Sequence, residues 1–151
     1  SPVVAGKPAA GVLLAAAARV DSRRPLVVGD RLDTDIEGAV AAGMPSLMVL
    51  SGVHGPSDLL AAPPARRATH LADDLTAVNV AGEDFSIADA PALVASASAD
   101  ALVVEELPDG LVGTPLARAV IRQGWERGVS LVVAGSGAVR SRLSDAGFTV
   151  D

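Results

Sequence analysis

Three carboxylates, Asp30, Asp33 and Asp35, fall within six residues of the segment Gly29-Asp30-Arg31-Leu32-Asp33-Thr34-Asp35-Ile36. Carboxylates this close repel one another unless a cation or a basic group compensates. A hard, oxygen-seeking ion such as Mg2+ is the natural partner. Asp30 precedes the following helix and is the expected metal ligand. Asp33 reads as the cap of that helix, with Asp35 and Glu37 placed to favour its positive end. A calcium loop is a further reading, because Asp33-Thr34-Asp35-Ile36-Glu37-Gly38 matches the first half of an EF-hand loop. It fails at the twelfth position, where Met44 stands in place of a bidentate Glu, and the preceding element is a strand. The other candidate is Lys7, a single lysine set against eleven arginines.

The elements that must position these residues alternate. Pro25-Leu26-Val27-Val28, ending in Gly29-Asp30, reads as a buried parallel strand. A helix over Thr34–Ala42 follows, with Gly43 as its stop signal. Ser46–Leu50 is a second buried strand with a loop after it to about Ser57. Thr69–Ala72 reads as a brief edge strand and Asp73–Ala77 as a short helix. Upstream, Gly6-Lys7-Pro8 opens a helix with Pro8 at its first position. Val12, Leu13, Ala16, Ala17 and Val20 share one face of that helix. The alternation predicts an α/β, Rossmann-like doubly wound parallel sheet, in which ligands bind beyond the C-terminal strand ends. Asp30 and Ser51-Gly52 then lie on the functional edge.

From about Val78 the texture changes, and a second small α/β unit is expected over residues 82–151. Residues 88–101 are small and bland. Strands are expected at Ala101–Leu107, Ser130–Ala134 and Gly147–Val150, and helices at Gly113–Arg127 and Ala138–Ala146. Leu116, Val120 and Ile121 should face inward. Trp125 reads as packing between helix and sheet.

Composition narrows the function classes. Of 151 residues, 50% are hydrophobic but only Phe85, Trp125 and Phe148 are aromatic, so the core must be built of Ala, Val and Leu. The absence of cysteine excludes disulfides and thiolate metal sites and fits a reducing cytoplasm. The net charge of −6 argues against nucleic acid or an anionic membrane as partner. The apolar run Ala9–Ala18 mimics a secretory signal. It fits a capped helix better, and it falls short of the about 20 residues of a membrane span. The Ser1-Pro2 start suggests further residues upstream.

Gly6-Lys7-Pro8 together with Val27-Val28-Gly29-Asp30-Arg31-Leu32-Asp33-Thr34-Asp35-Ile36 resembles the third and fourth motifs of haloacid-dehalogenase-superfamily phosphatases, of the p-nitrophenylphosphatase or phosphoglycolate-phosphatase type. Gly38–Gly43 and Leu47–Gly52 are similar too, so the resemblance covers about residues 1–77, within a first unit expected over residues 1–78. It implies that Lys7 holds a nucleophilic aspartate and the substrate phosphate by charge. It implies that Asp30 ligates Mg2+ and that Asp35 orients metal-bound water. No catalytic role carries over to Arg31 or Asp33. A cation on the metal side and an ammonium on the phosphate side suit phosphoryl transfer.

The family's first motif, an Asp-x-Asp-Gly after a strand, has no match here. Its second motif and its cap domain would both precede Lys7. The resemblance therefore implies the C-terminal part of a phosphatase, inactive alone, that acts on a small phosphorylated metabolite once joined to its N-terminal part. Within the group it is similar to the mycobacterial type of glycerol 3-phosphate phosphatase, whose extra C-terminal unit is similar to the acetyltransferase fold. Pro108–Thr114 would then be the loop that holds CoA in such folds, but it carries Asp109 and no arginine, so a degenerate module is expected. A non-catalytic contact or regulatory unit is the alternative to an enzyme, with a CoA-dependent acyltransferase as a third reading. Gly135-Ser136-Gly137 reads as a tight turn. His54 and His70 lack ligand spacing and read as structural.

Overall fold

The computed structural model describes residues 6–80 and 84–150. Ser1-Pro2 and Gly82, at the expected start of the second unit, lie outside the described residues.

Helix α1 spans Ala10–Arg19. Pro8 does not open it, as the sequence suggested. Ala9 N–H donates to Gly6 O at 3.1 Å, closing a turn around a cis Lys7–Pro8 bond, and Ala9 is the N-cap. This is the four-residue turn that places a cis proline third. The chain then forms β1 (Val27–Gly29), a π-helical turn at Leu32–Ile36 that runs into α2 (Glu37–Ala41), β2 (Ser46–Val49), α3 (Pro56–Leu60) and β3 (His70–Ala72). The strands are parallel in the order β1-β2-β3, with Val28 opposite Leu47 and Met48 opposite Leu71. All four β2 residues are buried, as the continuous apolar run required. The expected helix at Asp73–Ala77 is instead a 3-10 turn at Leu75–Asn79, capped by the Asp74 carboxylate accepting from Thr76 N–H.

A second three-stranded sheet follows: β4 (Val94–Ser98), β5 (Ala101–Glu106) and β6 (Leu131–Ala134), in the order β4-β5-β6. β4 and β5 are antiparallel, whereas β5 and β6 are parallel and joined through α4 (Gly113–Arg127). α5 (Gly137–Asp145) comes last. α4 matches the periodic pattern, with Leu116, Val120 and Ile121 fully buried, and Gly128 at φ 69° ends it in the left-handed conformation. β4 lies in the stretch that reads as bland. The final segment, Gly147–Val150, is not the expected strand. It crosses α3 instead, where Thr149 N–H donates to Ser57 Oγ at 2.8 Å and Phe148 is buried.

One apolar cluster joins the two sheets. Leu59, Leu60 and Leu71 from the first lie in it with Leu116, Val120, Ile121 and Leu143 from the second. Burying each such side chain contributes about 1.5–3 kcal/mol. Trp125 belongs to this seam: its Nε1–H donates to Leu59 O at 3.1 Å and Leu60 O at 3.2 Å, and Arg67 lies 5.0 Å over its ring. The opposite flank differs. α1 has no buried residue, and Val12, Leu14, Val20 and Leu26 are exposed.

Candidate active site

The site forms where β1 and β2 end side by side. Gly29 pairs with Met48, so Asp30 and the loop Ser51–Gly55 leave the sheet at one edge. That is the edge where parallel sheets bind ligands.

Asp30 is oriented from the neighbouring loop. Its Oδ2 accepts from Val53 N–H at 2.9 Å, and its backbone carbonyl accepts from His54 N–H at 3.3 Å. Oδ1 has no hydrogen-bond donor among the described residues. The approach is close enough that a Cβ on Gly52 would stand 2.1 Å from Asp30 Oδ2. Asp35 is buried in the π-helical turn before α2. Its Oδ2 accepts from Arg31 N–H at 3.2 Å, and its Oδ1 receives Lys7 Nζ, 28 residues away. Gly29 permits this packing, because a Cβ there would meet Asp35 Cβ at 2.4 Å. The Lys7 side chain is 46% exposed and that of Asp35 is 7% exposed, so the ammonium is anchored at one side and open at the other. A charge-assisted contact of this kind is stronger than a neutral hydrogen bond.

Asp33 does not cap the following helix. Arg31 holds the N-cap position with no side-chain cap bond, and Asp33 turns back to pair with the Arg31 guanidinium at 2.9 Å. The pair is exposed. Arg31 hydrogen-bonds the Asp33 carboxyl and holds it below the ordinary range, while Asp33 in turn raises Arg31. With Arg31 as its own counter-ion, Asp33 is removed from the set of carboxylates open to a metal.

The residues fit a Mg2+ ion as part of a shared set. Among the described residues no group of three or more His, Cys, Asp or Glu side chains forms a metal cage. Mg2+ does not need one. It is commonly held by one or two carboxylates, with waters and phosphate oxygens completing the octahedron. Asp30, fixed through one oxygen and open at the other, suits such a ligand.

Lys7 and Asp35 are therefore in contact, and Asp30 follows the end of the same strand, β1. His54 is a bracing residue: its Nδ1 accepts from Leu32 N–H at 3.3 Å and ties the two site loops together. His70 lies on β3 against Thr69 Oγ1 at 2.8 Å. The backbone donors Val53 and Arg31 were missed by sequence reasoning, since a main-chain N–H carries no side-chain signature. Gly29, the last residue of β1, and Gly52, in the loop after β2, were the available signal.

The expected CoA loop has a different environment. Arg142 donates to the carbonyls of Leu107, Pro108 and Leu111, and Thr114 Oγ1 donates to Asp73 beside the α4 N-terminus. A cavity of about 220 Å³ there is lined by two acids, Asp73 and Asp145. A carboxylate at that position opposes an anionic pyrophosphate.

Residues 4–78 match the family model for HAD-hydrolase-like proteins. The chain is 44% identical over 134 residues to D-glycerol 3-phosphate phosphatase of Mycobacterium tuberculosis, an alignment covering 83% of this chain and 37% of that protein. The crystal structure of glycerol phosphate phosphatase from Mycobacterium tuberculosis in complex with magnesium superposes with a TM-score of 0.82 at 40% identity. It covers 99% of this chain and 45% of the solved one. The same enzyme in complex with calcium gives 0.81 at 40% identity, covering 100% and 47%. The chain thus spans less than half the length of these relatives.

Proposed function

Since residues 4–78 place the chain in the HAD-hydrolase-like family, we propose that it forms the C-terminal part of a Mg2+-dependent phosphomonoesterase. The substrate is a small phosphorylated metabolite, and glycerol 3-phosphate follows from the names of the relatives. The observation that carries this reading is Lys7, brought across 28 residues onto Asp35 at the strand edge that also bears Asp30.

In this reading Lys7 binds the phosphate through its open side while Asp35 fixes its position. Asp30 presents Oδ1 to the metal, and the Val53 N–H keeps that carboxylate from rotating. Mg2+, when bound, neutralises charge on the phosphoryl oxygens. The phosphoryl group would pass from the substrate oxygen to an aspartate supplied by the remainder of the protein, the leaving oxygen would take its proton from an acid that the remainder also supplies, and water would then hydrolyse the acyl phosphate to inorganic phosphate and the free aspartate. Because Asp35 spends both oxygens on Lys7 and Arg31, its first role is to hold Lys7, and orienting metal-bound water comes second.

The open edge of β1 and the unburied α1 support the remainder of the enzyme as the partner of this flank. Residues 1–78 and 82–151 are taken as two units. The second has a β-β-α-β-α order compatible with an acetyltransferase-like module, without that fold's ligand. Among the described residues no helix is long and apolar enough to cross a membrane. A cysteine-free chain suits a reducing compartment, and the cytoplasm is the proposed location.

Asp30→Asn in the full-length enzyme should abolish Mg2+-dependent phosphate release. Activity like that of the wild type would overturn the assignment.

A further inference from the structure

The loop that grips Asp30 leads directly into α3, and α3 is only five residues long. A helix of that length has no stability of its own in water. What holds it comes from the second half of the chain, at both of its ends. At the C-terminal end, the Trp125 indole donates to the carbonyls of Leu59 and Leu60. The Leu60 side chain lies so close to α4 that a Cβ on Gly124 would stand 2.3 Å from its Cδ1. At the N-terminal end, Thr149 N–H donates to Ser57 Oγ, and Gly147 lies against the Pro56 ring, 3.0 Å from where its Cβ would be.

From Pro56 the chain steps back through Gly55, whose N–H donates to Asp58 at 2.8 Å, to His54 and Val53. These two residues hold Asp30 through its carbonyl and its Oδ2, and His54 also takes the Leu32 N–H. The path from Trp125 to the Asp30 carboxylate therefore runs through hydrogen bonds to the end of α3, along that short helix, and through the backbone of Gly55, His54 and Val53 to the hydrogen bond on Asp30. In parallel sheets a strand end fixes where an aspartate starts, but not where its carboxylate points. Here the pointing is done by Val53 N–H, and the position of Val53 depends on α3.

We propose that Trp125 and the Thr149–Ser57 contact are positioning elements for the metal carboxylate, through which the C-terminal unit sets the Mg2+ affinity of the active site. The proposal rests on the phosphatase reading, in which Asp30 is a metal ligand. Neither element touches metal or substrate. Their effect is to keep Asp30 Oδ1 aimed, so their loss should weaken metal binding and leave the rate at saturating metal nearly intact.

The test uses the full-length enzyme as Trp125→Phe, which keeps an aromatic ring under Arg67 but removes the N–H, and as Ser57→Ala, which removes the acceptor for Thr149. Leu102→Ala, at a fully buried residue of β5 that makes none of the hydrogen bonds to α3, is the control for general destabilisation. Mg2+ affinity is measured by calorimetric titration of the metal-free protein, and the Mg2+ concentration at half-maximal phosphate release is measured separately. Removing a partner that holds a metal ligand typically weakens metal affinity by ~10–100-fold, and Trp125 acts one step further out, so a loss of about threefold to tenfold is expected. Ser57→Ala should lose less, and Leu102→Ala should lower Tm without moving either metal measurement. Unchanged Mg2+ binding in Trp125→Phe would overturn the proposal while leaving the phosphatase reading intact. So would a shift in Leu102→Ala matching that of Trp125→Phe for the same loss of Tm. A wild-type enzyme that neither binds Mg2+ nor releases phosphate would overturn both.

Discussion

Helices α1 and α4 make opposite use of apolar sequence. α1, Ala10–Arg19, is almost wholly Ala, Val and Leu, yet it buries nothing. α4, Gly113–Arg127, is the more polar helix and buries eight residues. Apolar content therefore does not decide burial in this chain. What decides it is whether the surface facing the helix is present. α4 closes on β3, α3 and its own sheet, whereas α1 keeps only Ala10, Leu13 and Ala17 half-buried and, among the described residues, β1 is paired on one side alone. Lys7, a residue of the candidate site, comes from the outward flank, and Trp125 belongs to the closed one.

The largest effect expected on stability comes from the closed flank. Ile121→Ala should cost about 2–5 kcal/mol, read as a fall in the denaturant midpoint, because the cavity opens inside a cluster with no route to collapse. Val20→Ser at the C-cap of α1 should stay within about 0.5 kcal/mol in this chain, since Val20 is 73% exposed. The same substitution in the full-length enzyme should be more costly. Equal small effects in both contexts would break the contrast and with it the reading of α1 as an unfinished interface.

A smaller effect should fall on the site. Gly29→Ala forces a methyl group to within 2.4 Å of the Asp35 side chain, an overpacking that costs about 1–3 kcal/mol. Phosphate release by the full-length enzyme should fall with it, because Asp35 is the anchor of Lys7.

Helix α4 was legible to the residue. Its buried positions repeat at helical spacing and Gly128 marks the stop, so local pattern and tertiary burial agree. β4 was not, because only Ala95 in it is even half-buried and no alternation marks the strand. Gly147–Val150 has strand-like composition but no neighbouring strand to pair with, and its backbone goes to α3 and to Arg140 instead. In the site, the residue types were readable because few groups can serve a phosphate and a hard metal. The partnership of Lys7 with Asp35 was not, since it depends on a turn placing residue 7 beside residue 35. Asp33 followed the capping rule in sequence and lost to a stronger local competitor, the guanidinium two residues earlier.

The seam between the two halves offers a test of intermediate kind. Thr114 is buried at the start of α4, and its hydroxyl donates to Asp73, immediately after β3. Thr114→Val keeps the shape and removes the donor. It should cost about 0.5–1.5 kcal/mol, the net worth of one hydrogen bond, because the exposed Asp73 carboxylate regains water.

The smallest effect should come one residue further on and should depend on pH. Thr76, through its side chain and its backbone N–H, holds the Asp74 carboxyl below its ordinary value. A carboxyl lowered in the folded state favours folding above the pKa of the unfolded chain, about 3.9. That contribution is lost as pH falls through the lower folded value. Asp74→Asn should therefore flatten the acid limb of the stability curve below about pH 4, with little change near neutrality. Asp74 caps a 3-10 turn on the exposed side of the seam, so the acid limb should respond there and remain unaltered by substitutions on α1. An equal response from α1 would mean that the two flanks are coupled within this chain, which their difference in burial argues against.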